Sequence, residues 1–161
     1  MKLLLNISYL GTDFCGYQIQ KIGRTVQGEL NRAAKELFGF DCDITGCSRT
    51  DAGVHANMFC AAVTRAGERS IETNIRTDKI AQALNAHLPE DVSVFSVESV
   101  KDDFHPRYDV KYKEYIYRIY NAGVRNPFYE GRAFFYKYKL DEKLLNEEAK
   151  AFIGTHDFTA F

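Results

Sequence analysis

The first part of the chain alternates between segments with strand-like and helix-like spacing of apolar residues. Every second residue from position 3 to position 9 is apolar, which predicts a β-strand with one buried face. The next periodic segment begins after Thr25, a favourable N-cap, and ends at Gly39, a residue type that often terminates helices. Its apolar residues recur at helical spacing and are Val26, Leu30, Ala33 and Leu37. The pattern therefore predicts a strand followed by an amphipathic helix.

Four further segments complete an order of elements that is typical of one fold. Residues 41–48 and 56–65 have strand composition, and apolar side chains occur on both faces of the second segment. A second helix is predicted from Thr77 until Pro89 stops it, and residues 92–99 form a fourth strand. The order βαββαβ is that of the split βαβ, or ferredoxin-like, arrangement, in which two helices cover one face of an antiparallel sheet. The predicted fold class is α+β, and we expect the other sheet face to remain open.

The pattern starts again after the fourth strand but does not complete a second unit. Residues 112–120 and 132–138 are predicted strands, and residues 141–152 are a predicted helix. We assign residues 1–104 to an N-terminal ferredoxin-like catalytic half and residues 105–161 to the beginning of a second, truncated α/β half. Because nothing completes this second half, we expect a fragment of a longer protein. The alternative is a natural end at which the last helix caps the sheet.

Composition and charge argue against a membrane protein and a zinc protein, but they do not indicate a ligand. Of the 161 residues, 45% are hydrophobic and 27% are charged, and the formal net charge is −1. Phosphate binding would therefore depend on local basic clusters. No apolar run approaches the ~20 residues of a membrane span and no signal peptide is visible, which favours a cytoplasmic protein. The four cysteines include no C-x-x-C pair, so reduced thiols are a better interpretation than a zinc site.

The stretch GCSRTDAGVHA, residues 46–56, holds the most specific chemistry in the chain. In an extended segment Arg49 and Asp51 point to the same side, so the guanidinium would hold the carboxylate charged and in a fixed direction. Gly53 allows a sharp turn close to a ligand. No second carboxylate is close in sequence, which favours a lone nucleophile over acid–base catalysis by a pair. The alternative is a surface ion pair that would contribute ~1 kcal/mol or less.

A second cluster interleaves aromatic and basic residues. It comprises the stretch FHPRY, residues 104–108, and the run from Lys111 to Tyr120. Surfaces of this composition stack unpaired bases and neutralise phosphates. His105 is the best candidate for an RNA contact among the histidines outside the first motif. The alternative is that the tyrosines are good strand formers that line a half-buried face.

Several stretches, in order along the chain, resemble the TruA family of tRNA pseudouridine synthases. GCSRTDAGVHA is similar to the family's catalytic-aspartate motif, Gly-Arg-Thr-Asp-Ala-Gly-Val-His, with Ser48 in place of the first glycine. The stretch YLGTDFCGYQ from Tyr9 resembles its first loop, with Tyr17 where a tryptophan is common, and TVQGEL from Thr25 resembles the start of its first helix. FHPRY with the later tyrosines resembles its tyrosine motif, and GTHDF from Gly154 resembles a mid-chain motif.

The resemblance implies a substrate and roles for individual residues. Asp51 would be the nucleophile, and Arg49 would pair with it and either take the place of the flipped base or steady the flipped state. Tyr115 would stack under the target uracil and is a candidate for the proton transfer at C5. The substrate would be uridine at positions 38, 39 and 40 of the tRNA anticodon stem-loop, which a homodimer would isomerise to pseudouridine without a cofactor or metal. The candidates for substrate binding are His55, His105, Arg107, Tyr117 and Arg118.

Alternatives stay open beside this interpretation. Attack by Asp51 on the ribose C1′, attack on the ring C6 and abstraction of a ribose proton are all compatible with the sequence. A non-catalytic RNA-binding module would keep the sheet and the basic–aromatic strand, but it has no need of a carboxylate facing phosphates. A small-molecule enzyme with an aspartyl nucleophile lacks any phosphate loop or dinucleotide motif to support it. Because family members continue past the point where this chain stops, we expect little turnover from the chain alone.

Overall fold

The computed structural model describes residues 1–159 and divides the chain into two units, Met1–Lys113 and Glu114–Phe161. Residues 1–104, the predicted catalytic half, all belong to the first unit. The elements of the first unit are β1 (Lys2–Tyr9), α1 (Val26–Phe38), β2 (Cys42–Gly46), β3 (Ala56–Arg65), α2 (Thr77–Asn85) and β4 (Val92–Val100). Across the described residues, no helix is both long enough and apolar enough to cross a membrane.

The four strands of the first unit form one antiparallel sheet in the order β2-β3-β1-β4. Strand β3 lies between β1 and β2, so the βαβ connection through α1 is split by an intervening strand. This is the ferredoxin-like order, and the predicted α+β class is confirmed. Tyr9 at the end of β1 pairs with Ala56 at the start of β3. The loop that precedes β3 therefore lies beside the loop that follows β1.

Alternation along the strands directs one set of side chains into a core shared with the helices. In β1 this set begins at Leu3 and ends at Tyr9, which is 4% exposed. The helix residues in the same core are Val26, Leu30, Ala33, Ala34, Ile80 and Leu84. Full burial of a leucine or isoleucine side chain contributes about 1.5–3 kcal/mol, so packing against the sheet holds both helices on one face.

The helices begin where the sequence predicts, but the second ends earlier. Thr25 caps α1 by accepting a hydrogen bond from a backbone N–H of the first turn at 3.2 Å, and Gly39 ends the helix in the left-handed conformation. The second helix, α2, ends at Asn85, before Pro89 is reached. The Asn85 side chain bonds to the backbone C=O and N–H of Val94 at 2.7 and 2.8 Å. These two bonds fix the end of α2 against β4.

The sheet face opposite the helices is less exposed at its centre than expected. Asn6, Ala62 and Thr64 lie on this face, and all three are buried. The Asn6 side chain donates to Ser96 Oγ at 2.8 Å and accepts from Cys60 Sγ at 3.2 Å. Small side chains and satisfied polar groups therefore occupy the position where an exposed RNA platform was expected.

The second unit has little regular structure. Its elements are β5 (Ile119–Asn121), β6 (Phe134–Tyr136) and α3 (Glu142–Ala149), and the two strands are parallel. No residue between 114 and 159 is buried, so the strands predicted over 112–120 and 132–138 lack the packing that would extend them. Each is shorter than predicted. The helix predicted over 141–152 is α3 followed by a short 3-10 turn.

Candidate active site

The motif that contains Asp51 forms the loop between β2 and β3, residues 47–55, which we call the Asp51 loop. Cys47 N–H donates to Cys60 O at 2.8 Å and closes the base of this loop. Val54 N–H donates to Asp51 O at 3.3 Å across a tight turn in which Gly53 has a φ of +79°. Glycine adopts this conformation without the steric conflict of a Cβ. The turn therefore places Asp51 at its first position.

Thr50, the residue before Asp51, is held by both its side chain and its backbone. The Tyr9 hydroxyl lies 2.9 Å from Thr50 Oγ1, and Tyr17 N–H donates to Thr50 O at 3.0 Å. Hydrogen bonds of this kind contribute about 0.5–1.5 kcal/mol each. Together they fix the backbone from which the Asp51 side chain projects.

The other end of the Asp51 loop is joined to the segment that follows β1, residues 10–24. Gly53 N–H donates to Phe14 O at 3.3 Å, and Gly11 N–H donates to His55 Nδ1 at 2.9 Å. This bond engages one ring nitrogen of His55 in holding the loop. The structure thus makes His55 a loop anchor, while its role in substrate binding stays a prediction.

Two glycines allow the 10–24 segment to approach the Asp51 loop closely. A Cβ on Gly11 would lie 2.0 Å from Val54 O. A Cβ on Gly16, where φ is +98°, would lie 2.7 Å from Thr50 O. Contacts under 3.0 Å are essentially never made by real Cβ atoms, so any larger residue at either position would push the two segments apart.

Arg24, the last residue of the 10–24 segment, joins this segment to Glu29 and Asp91. Its guanidinium pairs with Asp91 through two bonds of 2.6 and 2.9 Å and donates to Glu29 at 2.8 Å. The same group lies 4.2 Å from the centre of the Phe14 ring. Burial opposes ionisation of Glu29, but hydrogen bonds from Arg24 and Arg32 outweigh it and hold the Glu29 pKa below its ordinary value. Phe14 also supplies a carbonyl to the Asp51 loop, so this network stabilises the loop's support.

Arg49 and Asp51 do not form the predicted ion pair. Both residues are exposed, and in the part of the chain that the structure describes no ion pair or hydrogen bond joins their side chains. The prediction assumed an extended backbone, in which alternate side chains share a side. The loop instead turns around the anchored Thr50 and has no regular strand structure at this point. Asp51 therefore offers its carboxylate without a guanidinium to orient it.

The segment after β4 brings Arg107 to the end of β2. Arg107 and Arg49 line the same cavity, which has a volume of about 170 Å³. The sequence places these residues in separate motifs, so their meeting is a result of the fold. This cavity brings together two of the predicted site residues within the first unit.

His105 is engaged in a local turn of the same segment. The ring Nδ1 of His105 accepts from the backbone N–H of Arg107 at 3.2 Å, and the backbone N–H of His105 donates to the Asp109 carboxylate at 2.7 Å. The imidazole ring lies 4.4 Å from the Tyr108 ring, measured between centroids. These contacts shape the turn that presents Arg107, and an RNA contact by His105 stays a prediction.

The remaining three predicted site residues, Tyr115, Tyr117 and Arg118, belong to the second unit. They lie in an irregular segment before β5, where Tyr115 is 74% exposed and Tyr117 is 77% exposed. Neither Tyr115 nor Tyr117 lies on a half-buried strand face, whereas Tyr120 of the same run is half-buried in β5. Within the second unit Tyr115 and Tyr117 are unpacked aromatic side chains of the kind on which bases stack.

Tyr9 and Tyr17 support the site, although sequence reasoning did not assign them to it. Both are buried, and the Tyr17 ring lies 4.5 Å from the Phe59 ring between centroids. Burial raises the Tyr17 pKa, and its hydroxyl has no hydrogen-bond partner among the described residues. One signal was available for Tyr9, because a tyrosine on an apolar strand face carries a hydroxyl that needs a partner.

Comparisons with known proteins agree with the motifs. A family profile described as tRNA pseudouridine synthase matches residues 6–109. The chain is 40% identical over 157 residues to tRNA pseudouridine synthase A of Aquifex aeolicus, which covers 98% of this chain and 63% of the relative. It is 43% identical over 161 residues to tRNA pseudouridine synthase A of Staphylococcus carnosus, which covers 100% of this chain and 58% of the relative.

A third relative, tRNA pseudouridine synthase A of Brachyspira hyodysenteriae, is 42% identical over 158 residues, covering 98% of this chain and 61% of the relative. The chain therefore spans about three fifths of the length of the curated relatives it matches. The profile match includes β1 from Asn6 onward, strands β2 to β4, both packed helices and the whole Asp51 loop. The resemblance inferred from the motifs is confirmed, and the chain belongs to the tRNA pseudouridine synthase family.

Proposed function

We propose that this chain carries the Asp51-bearing half of an enzyme that isomerises uridine to pseudouridine at positions 38, 39 and 40 of the tRNA anticodon stem-loop, with Asp51 as the nucleophile. One observation carries the proposal: an exposed carboxylate lies on a loop that hydrogen bonds hold at several points. The residues that hold the loop are Tyr9, Gly11, Phe14 and Tyr17. Rigidity of this kind keeps an exposed carboxylate at a fixed position, which a reacting group requires.

Isomerisation of uridine by this route requires a nucleophile held in a fixed position. The bond between ribose C1′ and uracil N1 breaks, the base turns, and C5 bonds to C1′ while the C5 proton leaves and N1 gains a proton. A carboxylate held in place supplies the nucleophile without reorganisation during the reaction. The target uridine must first leave its stack, which costs a few kcal/mol, so further residues are needed to hold the flipped nucleotide.

The remaining predicted residues are proposed to hold that nucleotide and its neighbours. Tyr115 is proposed to stack on the target uracil and Arg49 to steady the flipped state, with His55, His105, Arg107, Tyr117 and Arg118 as RNA contacts. The support for five of them is their exposure, and these are Arg49, Arg107, Tyr115, Tyr117 and Arg118. We further propose that the whole protein acts in the cytoplasm as a homodimer and needs neither a cofactor nor a metal.

Tritium release from tRNA that carries 5-tritiated uridine tests this proposal, because the C5 hydrogen must leave. The assay uses the longest polypeptide that the gene encodes, the Asp51→Asn variant and a control variant, Glu72→Gln. Glu72 is also exposed, and it follows Ile71, which pairs with Met1 at the opposite end of β1 from Tyr9. Removing its charge therefore leaves the Asp51 loop unchanged.

We expect release that is lost in Asp51→Asn and retained in Glu72→Gln, with tRNA binding intact in both variants. Equal release from Asp51→Asn and the unmutated protein would remove Asp51 from the chemistry. Tight tRNA binding without any release from the unmutated protein would favour the alternative, a non-catalytic RNA-binding module.

A further inference from the structure

A cavity beside the Asp51 loop contains two arginines, and we call it the arginine cavity. It has a volume of about 170 Å³ and lies at the end of β2. The lining residues that matter for its chemistry are Tyr17, Gln18, Thr45, Ser48, Arg49 and Arg107. Asp51 itself does not line it.

In the described structure, both guanidinium groups lack a protein partner. Among the described residues, neither the Arg49 nor the Arg107 side chain makes a hydrogen bond or an ion pair, whereas Arg24, Arg32 and Arg76 are all paired with carboxylates. None of the described residues that line the cavity is acidic. Two like charges that share a small space without a counter-charge repel each other, so the cavity favours an anionic ligand.

The size and the donors of the cavity select the kind of anion. Sites that enclose a whole small-molecule ligand have volumes of roughly 300–1,000 Å³, so about 170 Å³ suits a single charged group. Guanidinium forks match the oxygens of a phosphate, and the other lining residues named above carry amide or hydroxyl groups.

We propose that the arginine cavity binds one phosphodiester of the RNA backbone, held jointly by Arg49 and Arg107. Because the ligand named is RNA, this site rests on the proposed function. Arg49 is two residues from Asp51, and Thr50 between them is anchored to Tyr9 and Tyr17. The bound phosphate is therefore one that flanks the target uridine, and its capture fixes the backbone about which that nucleotide turns.

The salt dependence of RNA binding tests whether the two arginines share one phosphate. The logarithm of the association constant falls linearly with the logarithm of salt concentration, with a slope of about −0.7 to −0.9 for each phosphate neutralised. Binding of an anticodon stem-loop RNA is measured across a salt series with the longest polypeptide encoded by the gene. The variants are Arg49→Gln, Arg107→Gln and the double variant. Arg69→Gln is the control, since Arg69 is exposed beyond the opposite end of β3.

If one phosphate is shared, each single variant keeps most of the slope because the remaining guanidinium still neutralises it. The slope for the double variant is then about one unit less steep. Between about 50 and about 200 mM salt, the fold-decrease in its association constant is therefore about four times smaller than that of the unmutated protein. Arg69→Gln keeps the full slope. Because neither side chain has a partner in the described structure, all variants should unfold at the same temperature, which circular dichroism checks.

Three results would overturn the shared site: a loss of about one unit in each single variant with two in the double, an unchanged slope in the double variant, and no binding of the stem-loop by the unmutated protein. Tritium release by the unmutated protein reports the proposed function separately. Release together with an unchanged slope in the double variant refutes the cavity alone. A shared-phosphate result without release refutes the isomerase alone.

Discussion

The close contact between Gly11 and the Asp51 loop predicts that a methyl group added at Gly11 will displace the loop and Asp51 with it. Gly11→Ala adds a single methyl group, which would lie 2.0 Å from Val54 O. Contacts of this kind need at least 3.0 Å, so the two segments must separate by about 1 Å. Val54 closes the turn that begins at Asp51, and Gly11 N–H holds His55. Because both contacts belong to the Asp51 loop, the displacement also moves the backbone of Asp51.

Two magnitudes follow from this geometry. Overpacking of this kind typically costs about 1–3 kcal/mol of the free energy of unfolding. A misplacement of about 1 Å in a catalytic constellation can lower the rate about 100-fold. We therefore expect Gly11→Ala to reduce tritium release about 100-fold while the domain stays folded.

The matched control for this prediction is Gly67→Ala. Gly67 has a φ of +76° with nothing within 4 Å of its Cβ position, and it lies in the turn just after β3, beyond the strand end opposite the Asp51 loop. An alanine there is strained by about 1–2 kcal/mol, so both variants lose similar stability. Urea unfolding of the 161-residue chain measures that loss, and tritium release by the longest encoded polypeptide measures activity.

Activity of Gly11→Ala within about threefold of the unmutated protein would refute the reasoning, because a shift of about 1 Å at the nucleophile predicts far more. An equal loss of activity in Gly67→Ala would also refute it. In that case reduced stability alone, and not the position of the Asp51 loop, would explain the effect.

Three further predictions concern the support of the loop and the thiols. Tyr9→Phe removes the bond to Thr50 Oγ1, and urea unfolding should show a loss of about 1 kcal/mol; an unchanged midpoint would mean that this bond adds nothing. The Glu29 pKa lies below its ordinary value of 4.5, so its stabilisation is present above that pH and is lost as the pH falls through the folded-state value. Glu29→Gln should therefore flatten the fall of the urea midpoint between about pH 5 and about pH 3, whereas an equal slope would contradict the shift. Burial raises the Cys42 pKa to about 11, and Cys15 is exposed, so mass spectrometry after iodoacetamide treatment at about pH 8 should find Cys15 modified first and Cys42 last.

The sequence predicted the first unit well because its signals are local. Alternation in β1, the N-cap at Thr25 and the glycine at position 39 each depend on residues within a few positions of one another. The order of these elements then allowed few topologies, and the antiparallel order found is the one expected. Local signals were less reliable for the strand predicted over 112–120, of which only the end, from Ile119, is a strand in the structure. None of the described residues from 114 onward is buried, so the strand-like residues there have no core to pack against.

The candidate site likewise has features that local sequence predicts and features that depend on distant contacts. Residue types and spacing identified Asp51 and Arg49 as candidates, since motif chemistry is contained in a short stretch. They could not show that Arg49 meets Arg107, or that the expected pair with Asp51 is absent from the described structure.

What the sequence determined by itself was the set of elements, the family and the residues able to do chemistry. The tertiary structure alone decided how the Asp51 loop is held, through bonds between residues that are 41 and 44 positions apart. Contacts at such separations depend on the sheet order that places the end of β1 beside the start of β3. No periodicity along the chain encodes them, because each requires two distant segments to have folded first.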